Sequence, residues 1–315
     1  MKQINRFALC TSFAVAAFML LAPSQFTSSN SLIGAVAAAQ DQYGAPPADQ
    51  GPDPAAVNQA PSGPSYTTEA PPPPDQSAAP GQGPDDSNYA EQPTATADQP
   101  PPPLPDYDQP PAPADGYLWT PGYWAWGPAG YYWVPGAWVE PPYIGALWTP
   151  GYWGFYGSRY SFYPGYWGLH IGFYGGINYG FGFGGFGYEG GYWNSGHFFY
   201  NRVYNHINVR NVHNVYSYRA NVNVRGNAAS RASFRGGAGV QAQPRASEGA
   251  AFREPYAPRM NTQVQHEQRY AASPGQAAAQ NHGRPATPAV SRPIQADHNV
   301  HPQSHSSGGG RSEHR

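Results

Sequence analysis

Trp-Thr-Pro-Gly-Tyr-Trp, residues Trp119–Trp124, is the phrase on which the fold turns, because it recurs. It returns as Trp-Val-Pro-Gly-Ala-Trp at Trp133–Trp138, as Trp-Thr-Pro-Gly-Tyr-Trp at Trp148–Trp153 and as Phe-Tyr-Pro-Gly-Tyr-Trp at Phe162–Trp167. A degenerate fifth copy, Tyr-Glu-Gly-Gly-Tyr-Trp, spans Tyr188–Trp193. The first four copies start 14, 15 and 14 residues apart. A fixed period of this kind means one small structural unit repeated. All 9 tryptophans of the 315-residue chain lie in this zone.

Aromatic side chains favour strands, and Gly with Pro favours turns. Each repeat therefore reads as a strand of about ten residues and a short turn, such as Tyr117–Trp126 followed by Gly127-Pro128-Ala129-Gly130. The Pro-Gly pair inside each copy fits a type II turn or a β-bulge with Gly at positive φ; the bulge is preferred, because a type II turn twists the wrong way for a tight hairpin. A one-residue bulge would place Tyr117, Trp119, Trp124 and Trp126 on one face. The expected class is all-β: a small antiparallel meander sheet of aromatic repeats between long disordered arms.

Outward from the repeats, the chain divides into regimes. Residues 40–115 carry 21 prolines and twelve acids, with no Lys or Arg. Such a segment cannot by itself bury enough apolar surface to offset chain entropy, so it reads as an acidic, disordered Pro-rich linker. Residues 116–225 form the aromatic repeat domain. Within them, Ile207–Arg210 and Val222–Arg225 alternate as half-buried strands do. Residues 226–315 read as a basic disordered tail rich in Arg, Gly and Ala, with a short helix near Thr262–Ala272.

At the start, Lys2 and Arg6 precede the uncharged run Phe7–Ala22, and Ala35–Ala39 offers small-residue cleavage sites. Residues 1–39 therefore read as a signal peptide, which places the mature chain in the periplasm, the outer envelope or outside the cell. Cys10, the only cysteine, falls inside that segment. Disulfides, thiolate chemistry and Cys-ligated zinc are then absent from the mature chain.

The repeats resemble those of an uncharacterised family of exported bacterial proteins named for a W-x-x-G-x-W repeat. Trp119–Trp124, Trp133–Trp138 and Trp148–Trp153 carry the resemblance, with Gly165–Gly168, His170–Tyr179 and Gly187–Asn201 extending it. Phe162 in copy four and Gly190 in copy five depart from the pattern. The resemblance implies export and repeat architecture, and no reaction.

No motif for catalysis stands beside the repeats. Ser161 and Ser195 have no evident base partner, and Glu140 and Glu189 are the only acids of residues 116–200. The glycine runs lack the Lys and the strand–helix setting of a phosphate loop. His170, His197, His206 and His213 form no metal-ligand spacing, so no catalytic, cofactor or metal residues are assigned. A zone of about 85 residues has little interior for 32 aromatic rings, so an open aromatic face is expected. Trp119, Trp124, Trp133, Trp138, Trp148, Trp153, Trp167 and Trp193 are its candidate platform. The expected function is a non-enzymatic structural or interaction module of the cell envelope. Its partner would be an envelope polymer, a protein or a second copy; peripheral membrane contact is compatible, and nucleic acid is not expected. The alternatives are a polysaccharide- or peptidoglycan-binding module and an outer-membrane β-barrel.

Overall fold

A computed structural model describes residues 53–61, 90–219 and 231–304. They all belong to one compact unit, Ala45–Arg315. The expected signal peptide, the Val222–Arg225 alternation and the end of the tail lie outside the described residues.

A short helix α1 (Pro54–Val57) precedes nine strands that run through the extended segment and the first four copies. They are β1 (Ala95–Ala97), β2 (Leu118–Thr120), β3 (Tyr123–Gly127), β4 (Gly130–Val134), β5 (Ala137–Val139), β6 (Leu147–Thr149), β7 (Tyr152–Tyr156), β8 (Arg159–Tyr163) and β9 (Tyr166–Gly168). Further along come β10 (Asn178–Gly180), β11 (Phe183–Gly184), β12 (Gly191–Asn194), β13 (His197–Asn201) and β14 (Val215–Tyr216). The C-terminal part supplies β15 (Phe234–Arg235), helix α2 (Ala246–Arg253), β16 (Ala257–Pro258), helix α3 (Asn261–Ala271) and the short α4 (Ala278–Asn281).

The protein is all-β, built from small sheets whose pairing is mostly antiparallel. Copies pair in twos. In the first pair Trp119 lies opposite Trp138, and Trp124 opposite Trp133. In the second, Trp148 lies opposite Trp167, and Trp153 opposite Phe162. The first ring of one copy thus meets the last ring of its partner. Trp124 and Trp133 meet edge to face at 5.2 Å, and Trp119 and Trp138 at 5.5 Å. Such edge-on contacts suit the ring quadrupole.

The Pro-Gly pair is not a bulge. It divides each repeat into two short strands, β2 from β3 and β4 from β5 in the first pair. Pro121, Pro135, Pro150 and Pro164 sit in these breaks, where no ladder donor is needed. None of Gly122, Gly136, Gly151 and Gly165 adopts a positive φ. These glycines are present for close approach instead. A Cβ on Gly122 would strike the Trp133 ring, and one on Gly165 the Trp148 ring. The turn that closes β7 and β8 does use left-handed backbone, with φ 52° at Gly157 and 78° at Ser158. Positive φ at both central residues is the twist that tight hairpins favour.

The paired copies do not stand alone. β1 adds to β8, β15 to β7 and β16 to β9, so segments from both arms cover the sheet edges. Residues 90–115 and 231–304, expected within disordered arms, are therefore packed against the repeats. The reason lies in the ring donors and apolar faces of the repeats, which give proline-rich chain something to bury against. Proline-rich chain also has less backbone freedom to lose than ordinary chain. No strand forms at Ile207–Arg210, where the chain enters a turn at Val209 and Arg210. The Asn208 side chain accepts from Arg210 N–H at 3.0 Å and its carbonyl from Val212 N–H at 3.1 Å, local bonds that compete with a ladder. The expected tail helix is α3.

Candidate functional site

Seven of the eight platform tryptophans are not on a surface. Trp119, Trp124, Trp133, Trp138, Trp148, Trp153 and Trp167 are at most 6% exposed. The open aromatic face expected of them is corrected: they are the core. The arms enlarge the interior beyond the repeat zone, which is why the rings find room inside it. Four of the indole N–H groups donate to those arms. Trp124 Nε1 donates to the Pro103 carbonyl at 3.2 Å, Trp138 Nε1 to Pro110 at 2.8 Å and Trp133 Nε1 to Pro288 at 2.9 Å. Trp167 Nε1 donates to Gln263 Oε1 on α3 at 2.8 Å. Trp153 Nε1 joins the two pairs of copies through the Trp124 carbonyl at 2.7 Å. These rings build and staple; they do not display.

Trp193, from the degenerate fifth copy, is the exception. It lies in β12 opposite Phe198 of β13 and is only partly buried. A tight turn with φ 49° at Ser195 and 80° at Gly196 closes that hairpin. Trp193 Nε1 donates to the Ala146 carbonyl at 3.0 Å, which fixes the indole against the loop between β5 and β6. A groove of about 410 Å³ opens beside it, within the range of small-ligand sites. Tyr117, Tyr143 and Trp193 supply its rings, Asp115 and Glu140 its carboxylates, and His197 an imidazole. Ile144, 73% exposed, forms an apolar lip.

Each wall is held from behind. Tyr143 OH donates to the Trp167 carbonyl at 3.3 Å, and burial pushes its phenol up to about 12. Tyr117 OH accepts from Gln295 Nε2 at 2.9 Å, while its carbonyl accepts from Tyr200 OH at 2.8 Å. Glu140 Oε2 accepts from Ala296 N–H at 3.2 Å. Asp115 Oδ1 accepts from His213 N–H at 2.9 Å, and Oδ2 faces His213 Nδ1 at 2.6 Å. Partial burial raises the Asp115 carboxyl, but the His213 hydrogen bonds outweigh it and hold the group below its usual range. The groove therefore presents an ionised carboxylate at neutral pH.

The other titratable candidates scatter. His170 pairs with Glu254 at 2.8 Å, and His206 Nδ1 meets the Gln109 carbonyl at 3.0 Å. Among the described residues, no three His, Cys, Asp or Glu side chains gather as metal ligands. Ser195 Oγ donates to Asn194 Oδ1 at 3.2 Å in an exposed turn. Trp193 is marked in the sequence as a motif residue, whereas its neighbours Tyr143 and Ile144 lie between copies where no motif marks them. Glu140 carried a signal, as one of three charged residues in residues 116–200.

Fold and site define an aromatic-repeat β-protein in which seven repeat tryptophans are structural and Trp193 borders an open groove. The chain carries repeats of the WXXGXW family: the family model described as "WXXGXW repeat" matches two copies over residues 115–139. Neither the curated proteins nor the solved structures contain a match to the chain.

Proposed function

We propose that this is a non-enzymatic protein of the bacterial cell envelope, exported and working as a saccharide-binding interaction module through the Trp193 groove. Burial of the other repeat tryptophans moves the binding role away from a flat aromatic sheet. The observation that carries the reading is the groove itself, where a partly open indole and two tyrosines stand beside two carboxylates. Ring faces stack on the C–H faces of sugars, and carboxylates accept from their hydroxyls. The outer-membrane barrel finds no support in strands of two to five residues, because a spanning strand needs about 9–11. No helix of the described residues is long and apolar enough to cross a membrane. Export rests on the N-terminal sequence alone.

Pull-down of the full chain on insoluble envelope polysaccharide tests the reading. Trp193→Ala should abolish retention, while Trp126→Phe, on the far hairpin, should leave it intact. Equal retention of all three proteins would remove the groove from the function.

A further inference from the structure

We infer that the groove selects saccharides bearing free, protonated amino groups over neutral or N-acetylated ones. The inference rests on the saccharide reading and adds the sign of the ligand's charge.

Its ground is the composition of the walls. Asp115 and Glu140 both line the groove, and no Lys or Arg does. The 14 basic side chains of residues 201–315 lie elsewhere in sequence, and none reaches this site among the described residues. The two carboxylates are not equivalent. Asp115 has both oxygens engaged by His213, so it contributes field more than contact. Glu140 uses Oε2 for Ala296 N–H, and no described residue engages Oε1. That oxygen is left to accept from a ligand in the groove that Tyr143 and Trp193 also line. An ammonium there would gain a charge-assisted hydrogen bond and the attraction of the neighbouring ring faces. An N-acetyl group would offer the same carboxylate only a neutral amide donor, without the opposite charge or the cation's attraction to the rings. Polyanionic glycans would meet like charge on two walls. The imidazoles of His197 and His298 also face the groove, so selectivity is to be compared at one fixed pH.

Calorimetric titration of the full chain tests this with three matched probes: a glucosamine tetramer, its N-acetylated counterpart and a neutral glucose tetramer. The glucosamine tetramer should bind at least tenfold more tightly than either of the others, and high salt should erase most of the difference. Glu140→Gln keeps an acceptor for Ala296 N–H and should bring the glucosamine tetramer to the affinity of the neutral one. Equal binding of the three probes overturns the charge selectivity while leaving a saccharide site in place. Preference unchanged in Glu140→Gln overturns the assigned carboxylate. Binding of none of the three overturns the saccharide reading as well.

Discussion

Trp119 stands where a side chain on Gly136 would begin: its Cζ2 lies 2.6 Å from the position of a Cβ there. The relation is reciprocal across the first pair of copies, since Gly122 lies under Trp133. It repeats in the second, with Gly165 under Trp148 and Gly151 under Phe162. The spacing of the motif follows. The first ring of a copy needs a partner position without a side chain, and the chain must cross there at a break supplied by proline. Phe162 satisfies the same relation, so copy four keeps its pairing without the first indole.

Gly136→Ala is expected to destabilise the protein by about 2 kcal/mol, because the neighbouring Gly122 backbone N, 3.0 Å from the new methyl, cannot swing aside as a flexible side chain can. Gly184→Ala is the control. Its Cβ meets nothing within 4 Å and its φ is not positive, so the change should stay within about 0.5 kcal/mol. Thermal or urea unfolding of the two variants against the parent checks this. Equal melting would mean the ring–glycine contact does not determine stability.

The indole donors should govern how tightly the proline-rich segment is held. Trp138→Phe keeps an aromatic ring but removes the N–H donated to the Pro110 carbonyl, and leaves a small void where the indole was larger. A lost hydrogen bond of this sort is expected to cost about 1 kcal/mol. The cost should appear locally, as faster amide exchange at Ala112, whose N–H donates to the His206 carbonyl at 3.0 Å. Exchange unchanged at Ala112 in Trp138→Phe would show that apolar contact alone retains the segment.

The period and the aromatic content made the β-class legible, because both are local properties of the repeat. What the repeat does with its rings was not legible. Whether Trp124 faces solvent or protein depends on Pro103, 21 residues away, and for Trp133 on Pro288, 155 residues away. The composition of the arms gave the right entropy argument for isolated chain and missed that the repeats supply their partners. The glycines of the Pro-Gly pairs are required by the rings packed above them, not by their own φ, and the local sequence does not distinguish the two. At the site, Trp193 was visible as a motif residue, while Tyr143 and Ile144 became neighbours only through the Trp193 bond to Ala146.

Helix α3 should depend on one carboxylate. Glu267 accepts from Tyr123 OH at 2.8 Å and Tyr132 OH at 3.2 Å, and pairs with Arg259. The Arg259 and Glu267 side chains are 22% and 20% exposed, so both charges are largely removed from water. Glu267→Leu leaves the Arg259 guanidinium without its counter-charge and both phenols without an acceptor. The expected cost is about 3 kcal/mol, of the order measured when one partner of a buried pair is removed. Arg259→Leu combined with Glu267→Leu should recover part of it, because no unpaired charge remains. Denaturant unfolding of the two single variants and the double variant measures the coupling; strict additivity would show that the pair does not interact.

The last expectation concerns Glu248 in the first turn of α2. It is 1% exposed; Oε2 accepts from Arg245 N–H at 2.7 Å, and Oε1 has no partner. Burial raises its carboxyl from 4.5 to about 7, against the smaller opposing pull of the Arg245 backbone bond and charge. A carboxyl whose folded pKa is raised favours folding only while both states are protonated. Its contribution is full below the unfolded value of 4.5, declines as pH rises and is gone above about 7. The span corresponds to about 3 kcal/mol. Glu248→Gln keeps an acceptor for Arg245 N–H and cannot ionise. The variant should match the parent in stability near pH 4 and exceed it by up to about 3 kcal/mol at pH 8. Unfolding free energies of both proteins across this range give the difference curve. A flat difference would mean that Glu248 ionises in the folded protein as it does in the unfolded chain, with its charge solvated despite the burial of the side chain.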